Sequence, residues 1–417
     1  RTAGGLTHRD QLVGPWQVPV ADVAVTLTDL AGLSGQAMSS GERTPLAAVD
    51  APASGRMAVA EAITNLLAAP ITLNRVKLSC NWMAACGEEG EDAALYDTVH
   101  AVAMELCPAL GVSVPVGKDS LSMRARWTDP DGTTKQVTSP VSLVVSAFAS
   151  LPDVTGTLTP QIGAEQTLLL VDLGAGANRL GGSILAQVND EFGGPVPDLD
   201  DPARLIALVD AVNTLRADGL IAAYHDRSDG GLWASVVEMA LAGATGVDLS
   251  VDSTAALFTE ELGAVLAVPS DRVAEVEAVL VAHGVADLTR RVGRTRDDRQ
   301  VRVSVADRVM VDEALTDLGR SWDEVAWRMS RLRDNPVTAD AEHEAFAAAD
   351  DPGLHVRLSF EPDTRSTAPS VDTGSRPRIA LLREQGLTGR VETAWAFDRA
   401  GFEVLDVHMS DLQAGRF

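Results

Sequence analysis

Short apolar runs alternate with stretches of helical periodicity along the chain. Val23–Leu27 reads as a strand. From Arg56 to Ala69 the apolar residues Val59, Ile63, Leu66 and Leu67 recur near a 3.6 period, which predicts one buried helix face. Ala93–Leu110 predicts a second helix, stopped by Gly111, and Val141–Ala149 is rich in β-formers. Residues 1–150 therefore read as α+β. Beyond them, Thr167–Leu173 predicts a buried strand followed by a Gly-rich turn from Gly174 to Gly182. Leu205–Asp218 reads as a helix ending at Gly219. Leu220–Tyr224 reads as a strand feeding the loop His225–Gly231, and Leu232–Ala242 as the next helix, ending at Gly243. Strand, loop and helix in that order predict a layered α/β unit over 151–330. Residues 331–376 are polar, contain Pro and are rich in Ala, Asp and Glu at their centre, so they read as a connection. From Arg378 the pattern restarts: strand Ile379–Leu382, loop Glu384–Gly386, helix Val391–Ala400, strand Val404–Val407. That is one βαβ unit over 377–417. It is too little for a domain, and the chain reads as cut at both ends.

Composition narrows the function. The chain has 417 residues, enough for two to four domains at roughly 100–200 residues each. Aromatic residues make up only 4%, so the cores must rest on Ala, Val and Leu. The formal net charge of −25 argues against a nucleic-acid or anionic-membrane surface, which needs clustered Lys and Arg. It does not exclude nucleotides, because carboxylates hold them through Mg²⁺. The cysteines are Cys80, Cys86 and Cys107, an odd number with no CxxC. A disulfide framework or zinc site is disfavoured and a reducing, cytoplasmic setting fits. No apolar run approaches the roughly 18–20 residues of a membrane span.

Five segments could carry chemistry. Glu61 and Asn65 are four apart and share a helix face, where a carboxylate and an amide oxygen suit a hard cation. An ordinary polar pair on a solvated face fits the same spacing. Asp22 lies among small apolar residues, where burial demands a partner or a metal, unless it faces water at a strand edge. In His225-Asp226-Arg227-Ser228-Asp229-Gly230-Gly231 the glycines allow close backbone approach and the helix N-terminus favours an anion. Asp226 could reach a metal and Ser228 a phosphate or ribose; equally, Ser228 or Asp229 could simply cap the helix. Pro115-Val116-Gly117-Lys118-Asp119-Ser120 resembles half a P-loop, but the first Gly is absent and Asp follows the Lys, so a Walker site is rejected. A phosphate-touching loop or a plain turn remains. Arg383-Glu384-Gln385-Gly386 alone reads as a strand-to-helix turn.

Taken together, these segments resemble the large, multidomain form of phosphoribosylformylglycinamidine (FGAM) synthase. The matching runs are Arg1–Asp10, Val13–Val25, Ser79–Met83, Val114–Met123, His225–Leu232, Arg331–Pro336, and Arg383–Gly386 with Val407–Leu412, in family order. The resemblance implies aminoimidazole ribonucleotide synthetase-like A and B subdomains, then a class I glutaminase-like α/β start. Residues 1–150 would be the second A subdomain, 151–330 the second B subdomain, 331–376 the connection and 377–417 the opening of the glutaminase. The first A and B subdomains and the rest of the glutaminase would be its missing partners, and no catalytic residue of the glutaminase would lie within the chain. The family carries a catalytic and an auxiliary nucleotide site. By resemblance Asp22, Glu61, Asn65 and Asp226 would ligate Mg²⁺, and Ala21 and Ser228 would contact ATP or ADP. Asn81, Gly117 and Ser120 would belong to the pseudo-symmetric catalytic site.

The implied reaction joins formylglycinamide ribonucleotide (FGAR), ATP, glutamine and water. ATP activates the amide oxygen as an iminophosphate, and glutamine-derived ammonia displaces phosphate. Two other readings stand beside it: another ATP-dependent synthetase of the superfamily, and a non-catalytic nucleotide-binding structural half. The terminal βαβ unit disfavours the former, because those synthetases carry no glutaminase.

Overall fold

Alternation of buried and less buried residues marks the centre of the first sheet. In the computed structural model, which describes residues 6–9, 11–348, 350–361 and 374–416, β1 (Ala24–Leu27) pairs with β2 (Gly35–Glu42). Along β2 the odd-numbered residues are buried and the even-numbered ones exposed, the mark of a half-covered strand. Helix α1 (Thr44–Ala47) leads into α2 (Ala51–Leu66), which is capped by the Asp50 carboxylate accepting from the Ala53 N–H, with a proline in its first turn. That cap starts the helix more than a turn earlier than its apolar periodicity indicates. Strand β3 (Lys77–Met83) follows, then α3 (Glu91–Val99), a π-turn (His100–Leu106) and α4 (Cys107–Leu110). Pro108, with no N–H for the helical ladder, sits just past the π-turn, and Gly111 at φ 68° ends the run.

Strands β4 (Ser113–Ser120) and β7 (Ser142–Leu151) complete a five-stranded sheet in the order β1-β2-β7-β3-β4; β5 (Arg124–Thr128) and β6 (Thr134–Thr138) form a separate hairpin. Pro115–Ser120 is thus strand rather than loop. One side of its main chain pairs in parallel with β3 and the other is the sheet edge, which corrects the reading of a loop.

The second sheet has seven strands: β8 (Gln166–Asp172), β9 (Ala223–Arg227), β10 (Gly246–Val251), β11 (Gly263–Pro269), β12 (Thr289–Arg296), β13 (Gln300–Val305) and β14 (Arg308–Ala314). Their order is β14-β13-β10-β12-β8-β11-β9, antiparallel except for β10–β13. Around them run α5 (Ile184–Val188), α6 (Pro202–Ala217), α7 (Gly231–Gly243), α8 (Thr254–Phe258) and α9 (Val273–Ala282). Leu168 and Leu170 of β8 face a core shared with α7, whereas Leu169 and Val171 face a core shared with α6 and α9. The latter core also contains Ile63 and Leu66 of α2, so one apolar interior joins both sheets. Strand β9 runs three residues further than its apolar start suggests. His225, Asp226 and Arg227 lie within it, paired to β11, and not in a loop.

One helix runs across the expected boundary at 330, and a second lies within the expected connection. Helix α10 (Leu315–Arg333) and α11 (Pro336–Glu344) form a hairpin whose second helix is capped by Asn335. Trp327 stacks on His343 at 4.3 Å and donates to Asp340, Arg331 also pairs with Asp340, and His343 bonds Asp323. Polar and aromatic side contacts hold this hairpin, while Val325, Met329 and Leu332 stay exposed. Their i, i+4, i+7 spacing is a helical apolar stripe that the sequence reading left unassigned. At the far end β15 (Arg378–Arg383) and β16 (Glu403–His408) pair in parallel around α12 (Arg390–Arg399), the βαβ unit read from the sequence; α13 (Met409–Gln413) follows. Arg1–Gly5 and Asp10 of the N-terminal matching run, and 362–373 of the connection, lie outside the described residues.

Helix α2 approaches β2 so closely that a Cβ on Gly41 would lie 2.3 Å from the Ala58 carbonyl oxygen and 2.4 Å from the Ala62 nitrogen. Ser39 fixes the same contact by donating to the Ala62 carbonyl at 2.6 Å. Gly41→Ala is therefore expected to destabilise the fold by about 1–3 kcal/mol, as overpacking does, measured by urea unfolding. Ser40→Ala, on the exposed face, should leave the midpoint in place.

Candidate functional site

The edge strand β9 presents five consecutive buried residues, Ala223–Arg227. Tyr224 is anchored by its hydroxyl donating to the Thr64 carbonyl on α2 at 2.7 Å. Next to it, His225 Nδ1 lies 2.6 Å from Asp22 Oδ1, just before β1, and Nε2 lies 2.9 Å from Glu238 Oε2 on α7. Ionised carboxylates only accept, so both ring nitrogens donate and His225 is an imidazolium with no lone pair for a metal. Burial opposes that charge, but Asp22 and Glu238 outweigh it and hold the His225 pKa well above its ordinary value.

One oxygen each from Asp22 and Asp226, with a nitrogen of His225, lie within 4.8 Å of one another. Once His225 is satisfied, Asp22 Oδ2 and Asp226 Oδ2 remain buried with no hydrogen-bond partner. Burial, then the Asp22 charge, pushes the Asp226 carboxyl above the usual carboxylate range. Two buried oxygens without donors are costly unless something positive meets them. A hard, oxygen-seeking cation such as Mg²⁺ fits this donor set.

Helix α2 contributes Glu61, whose pKa burial pushes up to about 8, with Arg43 opposing and the Asp226 charge adding to the rise. Arg43, almost fully buried just after β2, lies 3.4 Å from Glu61, 3.2 Å from Asp229 and 3.2 Å from Glu260. Among the described residues Glu61 is outside the three-residue cluster, held by Arg43 yet within electrostatic reach of Asp226. Asn65, one turn on, donates to the Ser40 carbonyl at 3.1 Å. Of the four metal ligands read from the sequence, Asp22 and Asp226 come together directly. Glu61 and Asn65 line the neighbouring helix face.

Ala21 is fixed through its N–H to the Gln11 carbonyl, and half-buried Ser228 follows β9 directly. Neither Ser228 nor Asp229 caps α7: the N-cap is Gly230 at φ 79°, without a side-chain capping bond. Asp229 turns instead to Arg43, and the Gly230 N–H donates to Glu260. Asn81, Gly117 and Ser120 form a separate group on β3 and β4, with Lys118 donating to Ser120 at 3.0 Å. The Asn81 Oδ1 is buried and unpartnered, and a Cβ on Gly117 would meet open space.

Sequence reasoning missed Arg43, Glu238, Glu260 and the bidentate pair of Arg179 with Glu261. The latter had a signal: Glu260-Glu261 runs straight into the apolar Leu262–Val268, where unpaired charge would be untenable.

Comparison with known proteins gives three consecutive family matches. Residues 1–150 match the FGAR-AT PurM_N-like domain, 163–306 the AIR synthase related protein C-terminal domain, and 376–417 the CobB/CobQ-like glutamine amidotransferase domain. Among solved structures, Thermotoga maritima PurL complexed with ATP is 14% identical over 72% of this chain and 46% of its own, with a TM-score of 0.52. The same protein complexed with FGAR is 13% identical over 76% and 49%, with a TM-score of 0.54. T. maritima PurLQS is 12% identical over 76% and 48%, with a TM-score of 0.53. At such identities the likeness is one of fold. The chain spans about half the length of these structures.

The Arg43 guanidinium is set among Glu61, Asp229 and Glu260. Arg43→Ala strands buried carboxylates without a counter-charge and is expected to lower stability by about 3–5 kcal/mol, the usual cost of breaking a buried pair. Chemical denaturation at neutral pH measures it.

Proposed function

We propose, from the premise that these matches make the chain an FGAM synthase-like protein, that it supplies one half of an ATP-dependent amidotransferase. That enzyme converts FGAR and glutamine to FGAM in purine biosynthesis, in a cytoplasmic setting. The observation that carries this reading is that Asp22 and Asp226 bring a carboxylate oxygen each within 4.8 Å of one another, and that each also keeps a buried oxygen without a partner. These carboxylates would hold the Mg²⁺ of a bound ATP or ADP. Glu61 and Asn65 of α2 would add oxygens to it, and Ala21 and Ser228 would contact the nucleotide. Mg²⁺, when bound, neutralises phosphate charge, which is most of what phosphoryl transfer asks of a site. Asn81, Gly117 and Ser120 belong to the second nucleotide site, where ATP activates the FGAR amide oxygen and ammonia displaces phosphate. Structures of T. maritima PurL complexed with ATP, ADP and FGAR support the ligand classes. The remaining synthetase half and a complete glutaminase are the partners this reaction needs.

If Asp226 is a ligand, ADP with Mg²⁺ should raise the melting temperature of the chain by mass action, worth roughly 2.7 kcal/mol at a hundredfold excess over the dissociation constant. Asp226→Asn should remove most of that gain. A gain of equal size in the variant would sink the assignment.

The three cysteines all lie at or before position 107, so residues 376–417 offer no thiol nucleophile. Incubated with glutamine, ATP and Mg²⁺, the chain alone is expected to release no glutamate above background, followed by an enzyme-coupled glutamate assay.

A further inference from the structure

We infer that Glu238 and Trp322 are positioning residues for the cation site, and that they tie it to the helical hairpin of α10 and α11. The inference rests on the reading of Asp22 and Asp226 as cation ligands. Four side chains from four elements form one hydrogen-bonded line. The Trp322 indole N–H on α10 donates to Glu238 Oε1 at 3.0 Å, and Glu238 Oε2 on α7 accepts from His225 Nε2 at 2.9 Å. His225 Nδ1 on β9 then donates to Asp22 Oδ1 at 2.6 Å. Both Glu238 oxygens and both His225 nitrogens are used. Asp22 is thereby held by one oxygen and keeps Oδ2, which has no partner, for a ligand. Hydrogen bonds behind a metal ligand fix its orientation and tune the metal's affinity.

The far end of the line is set by packing. Leu315 and Leu318 of α10 are buried in the core that contains α7, and Gly319 allows the close approach. A Cβ there would meet Phe346 at 2.7 Å and Leu241 of α7 at 3.2 Å. Trp322 follows one turn later and is 40% exposed, so its N–H is more firmly engaged than its ring. If seating α10 orients Asp22, a cation on Asp22 must in turn favour the seated α10, because coupling between sites is reciprocal.

The test is a Mg²⁺ titration of the ADP-dependent melting shift, with amide hydrogen exchange of Leu315–Arg333 as a second readout. Glu238→Ala is expected to raise the Mg²⁺ half-saturation by about 10–100-fold, the usual effect of losing such a support. Glu238→Gln, which keeps one acceptor oxygen, should fall between that variant and wild type. Trp322→Phe keeps the ring and deletes the N–H. It should shift half-saturation in the same direction and abolish the slowing of α10 exchange that ADP and Mg²⁺ bring in the wild type. Should Glu238→Ala fail to fold, Trp322→Phe carries the test alone. Unchanged half-saturation in folded Glu238→Ala or Trp322→Phe, with Asp226→Asn still blind to Mg²⁺, overturns the positioning role and leaves the cation site standing. A wild-type chain without any Mg²⁺-dependent shift overturns both.

Discussion

Carboxylates taken out of water must be met by positive charge or by donors, and this chain buries many of them along one seam. Asp172, Asp226, Glu260 and Glu261 are all buried, as is the side chain of Asp22. Each except Asp226 has a cation in hydrogen-bonding contact. Arg227 meets Asp172, Arg179 meets Glu261, Arg43 meets Glu260 and His225 meets Asp22. These pairings cross between elements far apart in sequence, so satisfying them fixes how β2, α2, β9 and α7 lie together. After every local donor is assigned, one oxygen of Asp22 and one of Asp226 are left over. The functional reading grows out of that remainder.

The ionic seam is not what holds the two sheets together. That is done by the apolar interior shared by α2, β8, β11, α6 and α9. A buried ion pair often contributes little net stability, because desolvation offsets the attraction, while losing one partner is severe. The division of labour is therefore between burial, which supplies the driving force, and charge, which selects one arrangement. Arg43 illustrates it: its guanidinium meets side chains from α2, from the turn before α7 and from the segment after α8. A slip of one sheet against the other would break all of these contacts at once.

The sequence made some of this legible and hid the rest for physical reasons. Apolar periodicity located α2, α6, α7 and the terminal βαβ unit, because their buried faces are made of Ala, Val, Leu and Ile. It failed where polar residues are buried through pairing. His225, Asp226 and Arg227 read as a loop although they are strand, since nothing local announces that their partners wait on other elements. At α10 the period was present, in Val325, Met329 and Leu332, but went unassigned because the stripe adjoins the polar segment read as a connection and stays exposed. Spacing alone placed Glu61 and Asn65 on one helix face. That Asp22 and Asp226 belong together came from the family resemblance, and the fold brings a carboxylate oxygen of each within 4.8 Å of the other. Arg43 carried no signal, being a lone arginine between a strand and a helix.

Strand order also separates the two groups of candidate residues. Asp22 immediately precedes β1, whereas Asn81 lies on β3 and Gly117 and Ser120 on β4. In the order β1-β2-β7-β3-β4, β1 and β3 are three inter-strand steps apart, about 14 Å at the usual sheet spacing. The open face of the sheet bridges the interval. Glu42, Val144, Asn81 and Lys118 form one cross-strand row, which runs from the strand end beside Arg43 to the free edge. The period-2 alternation that buries Ala37, Ser39 and Gly41 against α2 is what turns this row outward. The first sheet, covered by helices on a single face, therefore keeps Asn81, Gly117 and Ser120 at one end of its strand order and Asp22 at the other, where β9 of the second sheet brings Asp226 to it.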